Sequence, residues 1–292
     1  MKRKNDFIIG IVVAVVTLFL ILIIISINSK KSSTDFINIS SGGKKVGVIN
    51  LNGIIYNSRS IIKDIEFYQQ NSSIKAVILR IDSPGGVIGA SQEIYNAVKR
   101  VRESGKPIIV SMGNVAASGA YYISCGADTI VANPGTTTGS IGVIAEFINL
   151  KELLNNVGIT FQIIKSGRFK DTGSPYRDLN EADRRYLQSW VDDAFEQFVD
   201  IVTEERKLSR NAVIQIADGR VFTGKQALEN GLIDILGDYQ TAVDFAAELG
   251  GIEGKPVIVR KREYEVSLFD LLFQKIEGIL RISNGVIIKY SM

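Results

Sequence analysis

Histidine is absent from all 292 residues of this chain. That absence excludes a Ser-His-Asp triad, a Cys-His pair and a His-ligated zinc site. Serine chemistry, if the chain performs any, needs another base, and lysine is the natural remaining one. A single cysteine, Cys125, rules out an internal disulfide; its expected place is a small buried position on a helix. Proline and methionine are scarce too, at five and three residues, so the missing histidine reads as compositional bias. The exclusion holds whatever its origin. No basic block stands out, and the net charge of +3 includes Lys2, Arg3, Lys4, Lys30 and Lys31 near the N-terminus. The remaining body is close to neutral, which gives no footprint for nucleic acid.

What is present begins with a run of 21 uncharged residues, 7–27, interrupted only by Gly10, Thr17 and Ser26. At about 1.5 Å per residue a helix of this length covers a hydrocarbon core of roughly 30 Å. A cleavable signal peptide has a shorter apolar region ending at small residues, and Ile27-Asn28-Ser29-Lys30-Lys31 offers no such site. The expectation is an uncleaved transmembrane anchor. Three cations and the free amine before it, against two after it, place residues 1–6 in the cytoplasm and the body outside the cell membrane. Residues 28–44 form a polar juxtamembrane linker.

Beyond the linker the chain alternates two patterns. Residues 45–51, 74–81, 107–112, 129–132 and 160–165 read as strands, several of them β-branched and apolar enough for burial on both faces. Residues 90–104, 116–127 and 180–207 read as helices, the last with Asp178 or Asn180 as N-cap. Strands separated by helices imply an α/β fold with a mainly parallel sheet and right-handed crossovers. No internal repeat is present. Residues 256–260 form a last strand, and 267–280 carry leucines at helical spacing, expected as a docked helix.

Three segments could carry chemistry. Asp82-Ser83-Pro84-Gly85-Gly86 ends a strand in a forced turn, where a backbone N–H could face a cleft and stabilise an oxyanion. Ser118, in Ala116-Ala117-Ser118-Gly119-Ala120, sits near a helix start with small neighbours, where the helix dipole favours a developing alkoxide. It lacks the Gly-x-Ser-x-Gly pattern, which disfavours an α/β-hydrolase. Lys165 and Lys170 flank Ser166-Gly167-Arg168-Phe169, and position alone does not choose between them. A catalytic lysine has to be neutral, which needs a shielded site and a partner for its amine. Ser140, in Thr138-Gly139-Ser140-Ile141-Gly142, is a candidate partner.

Taken together these segments resemble signal peptide peptidase A, a membrane-anchored Ser/Lys protease family related in fold to Clp protease and crotonase. The likeness runs from about residue 45 to 236. It includes Lys165-Ser166-Gly167-Arg168-Phe169-Lys170-Asp171, Ala217-Asp218-Gly219-Arg220-Val221-Phe222-Thr223-Gly224 and Gly231-Leu232-Ile233-Asp234, and the Ser118 to Lys170 separation fits the short bacterial form. The resemblance implies Ser118 as nucleophile, Lys170 as general base, the Gly86 N–H as oxyanion donor and Ser140 as partner of the Lys170 amine. It implies a ring-like homo-oligomer, an octamer in short members, with each dyad completed across a subunit boundary. It also implies apolar signal-peptide remnants or unfolded peptides as substrates, and no metal or organic cofactor. The expected organisation is a protease domain over 45–250 and a tail of unassigned role over 251–292. An acyl-CoA-type enzyme on the same fold and a non-enzymatic membrane-tethered scaffold are the competing readings.

Overall fold

The structure is a computed structural model that describes residues 44–260 and 288–291. The expected anchor, most of the linker and the expected 267–280 helix lie outside those residues. Among the described residues no helix is long and apolar enough to cross a membrane.

The main sheet is built from β1 (Lys45–Asn52), β2 (Ile74–Ser83), β4 (Ile108–Ala117), β5 (Thr129–Ala132), β9 (Ile235–Leu236) and β10 (Val257–Arg260), in the order β10-β1-β2-β4-β5-β9. Every pairing along that path is parallel. Alternation decides which face each side chain fills. Val77, Leu79 and Ile81 of β2 enter the larger core, under α1 (Arg59–Gln70) and α2 (Ile88–Glu103). Ala76 and Ile78 enter a second core with Val46, Val48 and the Ala242, Val243 and Ala246 face of α8 (Tyr239–Leu249). Cover on both faces is why these strands read as continuous apolar runs.

Two expectations are corrected near the centre. The strand expected to stop at residue 112 continues to Ala117, and the helix expected over 116–127 shrinks to α3 (Gly119–Ser124). Asp82 explains the extension: its carboxylate accepts from the Val115 N–H (3.1 Å) and the Asn114 Nδ2 (2.9 Å), bracing β4 beside β2 where their register shifts. Residues 160–165, expected as a strand, are irregular and exposed throughout. They have β-forming side chains but no neighbouring strand edge, and propensity without a partner does not make a strand. The expected long helix is α5 (Glu181–Arg206), started by a capping box between Asn180 and Asp183.

Beyond β4, strand β6 (Thr137–Gly139) pairs parallel to its end, and β8 (Val221–Thr223) runs antiparallel to β6. A separate three-stranded sheet has the order β3-β11-β7, from β3 (Gly85–Val87), β11 (Ile288–Ser291) and β7 (Ile144–Ala145). The C-terminal strand β11 is antiparallel to both neighbours, with Tyr290 opposite Gly86 and Lys289 opposite Ile144.

Candidate active site

The carboxyl ends of β2, β4 and β6 meet at one place, the usual location of a site in a parallel sheet. β4 ends at Ala117 and the chain turns abruptly into α3 through Ser118, whose φ is 57° and ψ −121°. For a residue with a Cβ this backbone costs about 1–3 kcal/mol. The turn is pinned on both sides: the Ser118 N–H donates to Gly139 O (2.8 Å), and Ser118 O accepts from the Tyr122 N–H (2.9 Å). Its Oγ is buried and has no hydrogen-bond partner among the described residues. A strained strand-to-helix corner presenting a buried hydroxyl is the arrangement of a nucleophile elbow, reached here without the Gly-x-Ser-x-Gly sequence. A helix of six residues contributes little dipole, so the corner takes the place of the expected helix start.

Ser140 lies beside it. Ala117 pairs with Gly139, so the next residues on the two strands, Ser118 and Ser140, are neighbours. Ser140 is 3% exposed, also has positive φ (50°), and its N–H donates to Arg220 O (2.9 Å). Three short backbone segments therefore hold Ser118 and Ser140 in fixed relation.

Gly86 is placed by β3, which packs against α3. The Gly85 carbonyl accepts from the Ile55 N–H (2.9 Å) and the Val87 N–H donates to Ile55 O (2.7 Å). Strand alternation then turns the Gly86 N–H and carbonyl to the opposite edge, the one along which β11 lies. A Cβ at Gly86 would stand 2.2 Å from Ile55 O and 2.6 Å from Ile55 N, both main-chain atoms that cannot swing aside. Gly86→Ala is therefore expected to displace β3 and to lower stability by about 1–3 kcal/mol. Gly89→Ala, where a Cβ meets nothing within 4 Å, should leave stability unchanged or raise it slightly. Denaturant midpoints of the two variants check this.

The lysines are arranged differently. Residues 155–170 are all exposed. Lys165 Nζ is taken up by the Asp171 carboxylate and by Arg168 O (3.0 Å). Lys170 is exposed, and its amine has no hydrogen-bond or ion-pair partner among the described residues. The chain by itself thus brings Ser118, Ser140 and Gly86 to one place and does not join Lys170 to them. The same arm exposes Ile148, Leu153, Val157, Phe161, Ile163 and Ile164, the last fully.

Around Lys170 the charged groups are paired. Hydrogen bonds from Arg177, then from Lys165, hold the Asp171 carboxyl well below the usual carboxylate range. Those from Arg177, then from the Thr172 hydroxyl, do the same for Asp183. Elsewhere, burial pushes the Cys125 thiol up to about 12, so it is an unreactive core group, as expected. Among the described residues no cluster of carboxylates and thiols could hold a metal ion.

Two features were not expected from sequence. One is β11, whose Ile288-Lys289-Tyr290 stretch carries a strand-forming signal. The other is Arg177, whose six-residue spacing from both Asp171 and Asp183 is visible but gives no hint of contact until the loop is folded.

The family model of "Peptidase family S49" matches residues 100–253, and that of "Clp protease" matches residues 34–137. A "Putative protease" of Synechocystis sp. is 43% identical over 216 residues, covering 73% of this chain and 77% of the relative. A "Putative signal peptide peptidase SppA" of Enterococcus faecium is 37% identical, covering 70% of this chain and 63% of that protein. A "Putative protease" of Methanocaldococcus jannaschii is 31% identical over 82% of this chain and 81% of its own length.

Proposed function

This chain belongs to peptidase family S49, and on that premise we propose that it is a serine endopeptidase whose dyad is Ser118 and Lys170. Neutral Lys170 accepts the proton of the Ser118 hydroxyl as Oγ attacks the peptide carbonyl. The carbonyl oxygen becomes an oxyanion held by the Gly86 N–H, and collapse expels the amine, which takes the proton back. Water, deprotonated by the same lysine, then resolves the acyl-enzyme. Ser140 keeps the lysine amine in place.

The observation that carries the reading is the gap between β3 and β7. It is one strand wide, and it holds an extended backbone segment antiparallel to both edges. Two strand spacings make a slot of about 9.6 Å, suited to a peptide bound by main-chain pairing. An acyl-CoA thioester has no such ladder to offer.

The exposed apolar arm supports a homo-oligomer in which Lys170 reaches the Ser118 of a neighbouring copy, since one chain leaves both groups unpartnered. By relationship to the Enterococcus protein, the substrates are signal-peptide remnants, apolar and extended. The 7–27 run supports a single-pass anchor in the cell membrane that keeps the site where such peptides are released.

The test is incubation of the full chain with a synthetic signal peptide and, separately, with an acyl-CoA, read by mass spectrometry. Internal cleavage of the peptide, with the thioester untouched and Ser118 labelled by a fluorophosphonate, is the expected result. Thioester turnover alone would move the chain to the acyl-CoA reading. Neither turnover nor labelling would leave the scaffold.

A further inference from the structure

Residues 158–170 contribute nothing to either core, and residues 161–180 contain no helix or strand. Lys170 therefore stands on a segment that burial does not fix. Local turns account for some of its order, through the Lys170 N–H to Gly167 O (3.1 Å), Thr172 N–H to Phe169 O (3.1 Å) and Ser174 N–H to Asp171 O (3.1 Å). Turns set local shape but not where the loop sits on the body. A stack of Phe169 on Tyr186, with centroids 5.0 Å apart, makes one connection to α5, though both rings are about half exposed.

The stronger connection is ionic and more buried. Arg177 Nε donates to Asp171 Oδ2 (2.8 Å) and Nη2 to Asp171 Oδ1 (2.9 Å), a bidentate pair. The same guanidinium donates through Nη1 to Asp183 Oδ2 (2.5 Å) and through Nη2 to Asp183 Oδ1 (3.2 Å). Asp183 is 1% exposed and belongs to the first turn of α5. It also accepts from the Asn180 N–H (3.1 Å) and the Thr172 hydroxyl (2.7 Å). Asp171 is the residue next to Lys170. One guanidinium thus ties the backbone beside the lysine to the capped start of the longest described helix.

We propose that Arg177 is a positioning residue for the base: by clamping Asp171 to Asp183 it fixes the Lys170 loop against α5. The inference rests on the reading of Lys170 as the base. A planar fork with five donors can serve two carboxylates at once, which a lysine ammonium cannot do in this geometry.

The experiment compares wild type, Lys170→Ala, Arg177→Gln, Arg177→Lys and Asp171→Asn as full chains on one apolar reporter peptide. Arg177→Gln is expected to lower kcat about 10–100-fold, the scale of a base misplaced by an ångström or so, with KM within about three-fold because the β3 edge is untouched. Arg177→Lys should recover little, while millimolar guanidinium ion should restore part of the kcat of Arg177→Gln, a response that general destabilisation would not give. Activity in Lys170→Ala would defeat the reading of Lys170 and leave the clamp without an object. An inactive Lys170→Ala beside Arg177→Gln and Asp171→Asn at wild-type kcat would overturn the clamp alone. Should Arg177→Gln fail to fold, Asp171→Asn decides, since it spares the Asn180 cap: reduced kcat supports the clamp and unchanged kcat overturns it.

Discussion

Ser118→Ala is expected to lose at least about four orders of magnitude in peptide turnover while folding normally. As a dissociated chain it should also be more stable than the wild type. The wild-type serine holds φ 57°, ψ −121°, a backbone costing about 1–3 kcal/mol, and buries a hydroxyl with no partner, worth a further 1–3 kcal/mol or so. Alanine removes only the second of these, for a gain of about 1 kcal/mol. Ser118→Gly removes both, less the roughly 0.5–1 kcal/mol of chain entropy that glycine adds, and should gain about 2 kcal/mol. Denaturant midpoints of the three proteins should therefore rise in the order Ser, Ala, Gly as activity vanishes. A Ser118→Gly protein no more stable than wild type would mean that the corner stores no strain.

Lys170→Ala is expected to lose about 10²–10⁴-fold, the share of a missing general base. The more telling result comes from mixing. Each chain leaves Ser118 Oγ unpartnered and Lys170 in solvent, so the two halves of the dyad are predicted to come from different copies. Inactive Ser118→Ala and inactive Lys170→Ala chains, co-assembled from the dissociated state, should regain activity. Random mixing in a closed ring makes about a quarter of the sites competent. If the mixture stays dead while wild type treated identically recovers, the dyad is not shared between subunits.

How much of this was legible in the sequence depended on the kind of force involved. Strands β1, β2, β5 and β10 and helices α2 and α5 announced themselves because burial and period 2 or 3.6 act over several residues at once. The extension of β4 to Ala117 did not, since it depends on Asp82, a residue 32 positions away from Asn114. Residues 160–165 misled because a strand is a property of a pair, and the described residues supply no partner. For the candidate site, Ser118, Gly86 and Ser140 were indicated by residue type and glycine placement, but the elbow at Ser118 was not, because positive φ on a serine is imposed by the surrounding pairings. Arg177 was invisible for a related reason: its role lies in joining two carboxylates that only the folded loop brings to one side chain.

The strand between β3 and β7 has a kinetic meaning. It is part of the same polypeptide, so its local concentration at the slot is set by the tether and not by how much protein is in solution, and tethered ligands of this kind behave as if present at about millimolar levels. On the proposed reading, an incoming peptide and the chain's own residues 288–291 would compete for the same edge of β3. Turnover on that reading would be governed by a contest that dilution does not relieve. Only peptides able to outcompete an occupant at that level, or present where they accumulate, enter the site readily, and weak chance binders are turned away without any gate that moves.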